Sequence, residues 1–176
     1  SYNGVFAGNG KKARDLRTAF LLSVPRQQIV DTLIKPINPS AKVVNSVFLL
    51  PGQAGYDQVT AKSGVSKYTA GKQSDRTAKA LQLVKQYYPT AGAGNTPVKI
   101  KLLWGTPSNA RRAAEAALIK AEAAKAGFDV DATGNSAWGG ALTSNKYDAA
   151  FFAWCPTSVS QTGTNANFKS DGANNF

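Results

Sequence analysis

The 176-residue chain carries 21 Lys and Arg against 10 Asp and Glu, a formal charge of +11, and is 43% hydrophobic and 18% charged. That length suits one domain or one lobe of a larger protein, and the composition is that of a globular chain. One Cys and no His exclude an internal disulfide framework, a multi-Cys zinc site and the commonest metal ligand.

Residues 1–10, rich in Gly and Asn, read as loop. From Lys12 to Val24, apolar residues at Leu16, Ala19, Phe20, Leu21 and Leu22 predict a helix. Pro25 pushes Val24 out of the α region and opens a second helix to Ile34, with Ile29, Val30 and Leu33 on one face. Lys35 and Pro36 end it. Residues 36–73, with Pro36, Pro39, Pro51 and several Gly and Ser, read as one long irregular loop. A loop of that length is functional or wraps another part of the protein. Ser74 and Asp75 are expected to cap a third helix that runs to Tyr88, where Pro89 stops it.

After a Gly/Ala turn at 90–96, Val98 to Trp104 alternates and then turns apolar, as a strand entering a core does. Gly105 to Ser108 starts an Ala-rich helix to Ala126, stopped by Gly127. Phe128 to Asp131 is a second strand. Strand, helix and strand in this order predict a right-handed parallel βαβ unit. A short helix around Trp138 and Leu142 precedes a third strand, Tyr147 to Trp154, nearly all apolar and so expected at the centre of the sheet. Residues 155–176 read as polar loop. No stretch reaches the roughly 18 apolar residues of a membrane span. The start, Ser1-Tyr2-Asn3-Gly4, is neither an initiator Met nor a signal peptide, so the chain reads as excised from a longer protein.

The net charge favours an acidic partner such as nucleic acid, anionic lipid or cell-wall polymer. The basic residues are dispersed, however, and Arg111, Arg112, Lys120 and Lys125 read as a solvated helix face. Asp129 and Asp131 share one face of a strand. They form a possible paired-acid site, but Asp131 is more simply a loop cap. Asp148 reads as structural, and so does Trp104 as a packing residue. Cys155 lacks a His to act as its base, which disfavours a nucleophilic role and leaves a buried or half-buried free thiol. Trp138 and Trp154 both lie near strand ends, where aromatic rings suit a binding cleft; Trp138 reads equally as cleft wall or as core, while Trp154, whose strand ends in polar loop, reads more as cleft wall than as core.

In order, the signals resemble the family 5 extracellular solute-binding proteins, the oligopeptide- and dipeptide-type receptors of ABC importers. Leu16-Arg17-Thr18-Ala19-Phe20 and Val24-Pro25-Arg26-Gln27-Gln28-Ile29-Val30 are similar to that family's helix pair, although Pro25 stands where a capping Asp is usual. Asp75 to Tyr88, Val98 to Val130, Trp138 with Leu142, and Tyr147-Asp148 through Trp154 resemble its following segments. The resemblance implies a mixed α/β fold: one lobe of a type II periplasmic-binding-protein-like architecture, a small central sheet flanked by helices. Residues 1–176 would form a single lobe, with 155–176 leading back to the missing one. It implies a peptide or similar small organic solute held between lobes and passed to membrane permease subunits. Trp138, Trp154, Cys155 and Thr157 would stand on the ligand side.

In the family's peptide receptors, a carboxylate three residues after the second Trp pairs with the peptide's α-ammonium. Here that position is Thr157, whose neutral hydroxyl cannot make the charge-assisted bond. A differently held peptide, a sugar-like molecule or another organic ligand stays open. The family's exported location implies an extracellular, lipid-anchored protein and opens a disulfide from Cys155 to the absent lobe. No catalytic residue, metal or cofactor is expected. The competing expectation is a basic nucleic-acid or anionic-polymer binder; a hydrolase with an Asp-based site ranks last.

Overall fold

The computed structural model describes residues 3–144 and 146–152, together with 167, 169, 171 and 172. After a short helical turn at Gly4–Phe6, α1 runs over Lys11–Ser23. Its inward stripe, Ala13, Leu16, Ala19, Phe20 and Leu22, is buried. Val24 then adopts ψ 117°, as the following Pro25 demands. α2 covers Arg26–Ile29 and widens into a π turn over Val30–Ile34.

The segment expected to be wholly irregular contains two short helices, α3 (Tyr56–Lys62) and α4 (Ser66–Thr69). Each has at most two turns, too few for apolar periodicity to register. α5 spans Gln73–Lys85. Ser74 and Asp75 do not cap it. Lys72 occupies the cap position without a side-chain bond. Gln73 instead ties the helix start to α1 through Leu22 O (3.0 Å).

β1 (Val98–Trp104) and β2 (Phe128–Asp131) form a parallel pair through α6 (Ala110–Lys125), the expected strand–helix–strand unit. Asn109 caps α6 by accepting from Arg112 N (3.0 Å). Gly127 stops it at φ 90°, a left-handed conformation that a Cβ would strain. α7 (Trp138–Thr143) precedes β3 (Ala149–Phe151), which pairs parallel with β1. The sheet order is β2-β1-β3.

β3 is therefore an edge strand among the described residues, a correction to its expected central place. Its apolar character has another cause: Phe151 stacks on Trp104 (6.1 Å between centroids), and Phe152 packs on Trp138 (5.8 Å).

Alternation along β1 buries Val98, Ile100 and Leu102 on one face and exposes Lys99 and Lys101 on the other. The buried face meets α1, α5 and α6. Phe20 links Phe6 (5.8 Å) to Phe128 (5.6 Å, edge-on) at its centre. A buried polar relay joins these helices: Gln73 Nε2 donates to Thr77 Oγ1 (3.1 Å), whose hydroxyl donates to Glu122 (2.6 Å). On the opposite face Lys99 and Lys101 lie in register beside Asp129 and Asp131.

Candidate functional site

In open α/β sheets, ligands settle outside the carboxyl ends of the strands, where the chain turns away and backbone groups are free to meet them. That end of this sheet is aromatic. β1 ends at Trp104, whose O accepts from Asn135 N (2.9 Å), so the chain after β2 is latched to the end of β1. The next residue, Gly105, lies directly beneath the Trp138 ring. A Cβ at 105 would come within 2.3 Å of the indole Cγ, so only glycine permits this approach. Thr106 then takes φ 60°, a left-handed conformation rare for a β-branched residue. Arg112 Nη1 reaches back from α6 to Gly105 O (3.2 Å).

Trp138 is half-buried, with one side on Gly105 and Phe152 beside it. It is thus fixed by the scaffold without being absorbed into the core. Trp104 is a packing residue, as expected. It is 5% exposed, and its Nε1–H donates to Ala132 O (2.7 Å). Trp154, Cys155 and Thr157 lie outside the described residues. Phe152 is the site residue that sequence reasoning missed. The signal was strand alternation: neighbours in a strand face opposite ways, so once Phe151 covers Trp104, Phe152 must face the other side.

A cavity of about 260 Å³ is lined by residues of β1, the end of β2 and the loop after it, α7 and the segment before β3, among them Lys101, Asp131, Asn135, Ser144 and Tyr147. Burial pushes the Tyr147 hydroxyl pKa up. Asp131 accepts from Thr133 N and Oγ1 (3.2 and 2.8 Å), the loop-capping role expected of it. Asp148 also proves structural. Its Oδ2 accepts from Lys101 N (2.7 Å), and its own N–H donates to Lys101 O (3.0 Å), fixing the start of β3 against β1. On α6, Arg111 pairs with Glu115 and Lys125 with Glu122 (2.7 Å). Two of the four helix cations are therefore held by neighbouring carboxylates. Among the described residues, no group of three His, Cys, Asp or Glu could hold a metal ion, and no helix is long and apolar enough to cross a membrane.

The sequence profile of the bacterial extracellular solute-binding proteins, family 5, matches residues 4–176. No curated protein matches significantly. Among solved structures, that of Haemophilus influenzae OppA in complex with the peptide RPPGFSPFR is similar, with a TM-score of 0.68 and 20% sequence identity. The match covers 94% of this chain but 31% of that one. The mixed α/β, periplasmic-binding-protein-like fold expected from the sequence is therefore the fold of this chain.

Proposed function

Because this chain belongs to the bacterial extracellular solute-binding proteins of family 5, we propose that it is one lobe of an ABC-importer receptor that captures a peptide or similar small organic solute. The carrying observation is the half-buried Trp138, held over Gly105 at the carboxyl end of β1 with Phe152 beside it. A rigid ring of this kind offers contact area at little entropic cost. The peptide class is supported by the similar OppA, whose structure holds a nonapeptide.

In this reading a second lobe closes over the ligand, and the closed receptor delivers it to membrane permease subunits. By the family's pattern, Trp154, Cys155 and Thr157 also contribute to ligand binding, with Thr157 offering a hydroxyl and no charge. The receptor is extracellular and lipid-anchored. It performs no chemistry and binds no nucleic acid.

One lobe covers one side of a ligand, and closure supplies the second. The intact receptor should therefore bind a peptide pool at least about tenfold more tightly than residues 1–176 alone, as read by calorimetry. Equal affinities would count against a two-lobe capture site.

A further inference from the structure

The strongest unassigned feature lies away from the sheet edge, where α2 faces the segment around Lys42 and the turn after α4. A cavity of about 290 Å³ opens there, lined by Arg26, Gln27, Lys42, Val43, Asn45, Thr69 and Arg76. All three ionisable groups in its wall are cations. Every one of the chain's ten carboxylate side chains falls among the described residues. The ion pairs take up Asp15, Asp31, Glu115 and Glu122, and none reaches Arg26, Lys42 or Arg76.

Arg76 is 7% exposed. Its Nη1 donates to the carbonyls of Thr69, Ala70 and Gly71 (3.3, 2.7 and 2.9 Å), and its Nη2 to Gln73 Oε1 (2.7 Å). The Nε–H is buried with no partner. Arg26 Nη1 sits on the adjoining carbonyl of Tyr68 (3.5 Å) and on Leu21 O (2.8 Å). Burial, and then the neighbouring Arg76 charge, lower the pKa of Arg26. Two guanidinium groups thus share one run of carbonyls with no counter-charge among the described residues, although buried charges in folded proteins are ordinarily paired. A buried acceptor, Asn45 Oδ1, also lacks a partner in the same wall.

We propose that this cavity is a binding site for a phosphoryl oxyanion. The donors match its chemistry. Arg presents N–H groups in a fork that suits tetrahedral oxyanions, and Lys42, exposed at the rim, adds a point charge. The orphaned Asn45 acceptor selects further. A hydrogenphosphate or a phosphomonoester monoanion carries an O–H that can donate to it, whereas a carboxylate has none. The cavity leaves room beyond the oxyanion for a short ester.

The test titrates residues 1–176 with inorganic phosphate at constant ionic strength and follows the melting temperature and two-dimensional NMR shifts. A parallel arm with phosphoserine distinguishes a free ion from an ester, and an acetate arm supplies the carboxylate control. The expected result is saturable stabilisation by phosphate, shifts confined to the backbone around residues 26, 42–45, 69 and 76, and weaker binding of acetate. Arg26→Gln should weaken phosphate binding about tenfold, and Lys42→Gln by a smaller factor. Arg76→Lys is a poor probe, because Arg76 also ties three carbonyls. A response to phosphate no different from that to chloride, or one unchanged in both Arg26→Gln and Lys42→Gln, would overturn the site. Acetate binding as tight as phosphate would overturn the phosphoryl assignment.

Discussion

Phe128 and Trp138 are both large rings set against the same sheet, and their surroundings differ. Phe128 is fully buried on β2, edge-on to Phe20 and inside the layer formed by α1, α5 and α6. Trp138 is half-buried at the end of β1, held by a glycine and one further ring. Apolar area removed from water stabilises the fold in proportion to its extent, so the first ring serves the body of the fold. The second is positioned by that body and keeps a free side. If the proposed capture site is right, stability and recognition reside in different aromatic groups set against one sheet, and substitutions should separate them.

The largest effect belongs to the core. Phe128→Ala should cost about 3–5 kcal/mol, measured by denaturant unfolding, and the whole sheet should melt with it. A cost below about 1 kcal/mol would mean that Phe128 is not the centre of the packing. Gly105→Ala should act on the rim instead. Its Cβ would overlap the indole, so the ring must shift, at a cost of about 1–3 kcal/mol. The tryptophan emission should move to the red, and the complete receptor should lose ligand affinity. Unchanged emission would show that Trp138 does not rest on Gly105.

Asp148→Ala tests the joint between the two regions. Removing the acceptor for Lys101 N should cost about 1 kcal/mol and speed amide exchange in β3 more than in β2. Uniform exchange across the sheet would contradict its role as the clasp of β3.

The smallest effect is one of pH. The hydrogen bond from Lys11 (2.6 Å), then that from Tyr87 (2.7 Å), holds the Asp15 carboxyl pKa below its ordinary 3.8. A folded-state pKa below the unfolded one gives stability that is complete above the unfolded value and lost as pH falls through the folded one. The melting temperature should therefore drop more steeply below pH 4 in the native protein than in Asp15→Asn. Parallel curves would remove Asp15 from the account.

Much of the body was legible in the sequence. Val98 to Trp104 and Phe128 to Asp131 alternate as strands must, and Gly127 marks the end of α6 in its expected left-handed conformation. Elements set by tertiary contact were less legible. Ser74 and Asp75 have the chemistry of a helix cap, but α5 starts one residue earlier, where Gln73 finds Leu22 O across the helix pair. Residues 147–154 read as a central strand because apolar runs usually mean burial under helices on both faces. Among the described residues the same composition serves a short edge strand: Phe151 in β3 meets Trp104, and Phe152, just after it, meets Trp138. The Arg26–Arg76 cavity left no local signal, since Arg26, Lys42 and Arg76 are scattered over fifty residues of chain. At the rim, Trp138 was visible as a ring near a strand end, but its glycine seat depends on a contact 33 residues away.

The most direct measurement is the ligand affinity of the complete receptor with Trp138→Ala beside Phe128→Leu, each followed by calorimetry against one peptide pool. The account predicts that Trp138→Ala weakens binding by about tenfold or more while the receptor stays folded, and that Phe128→Leu lowers stability with affinity intact. Unchanged affinity in Trp138→Ala would contradict the placement of the ligand at the carboxyl end of the sheet.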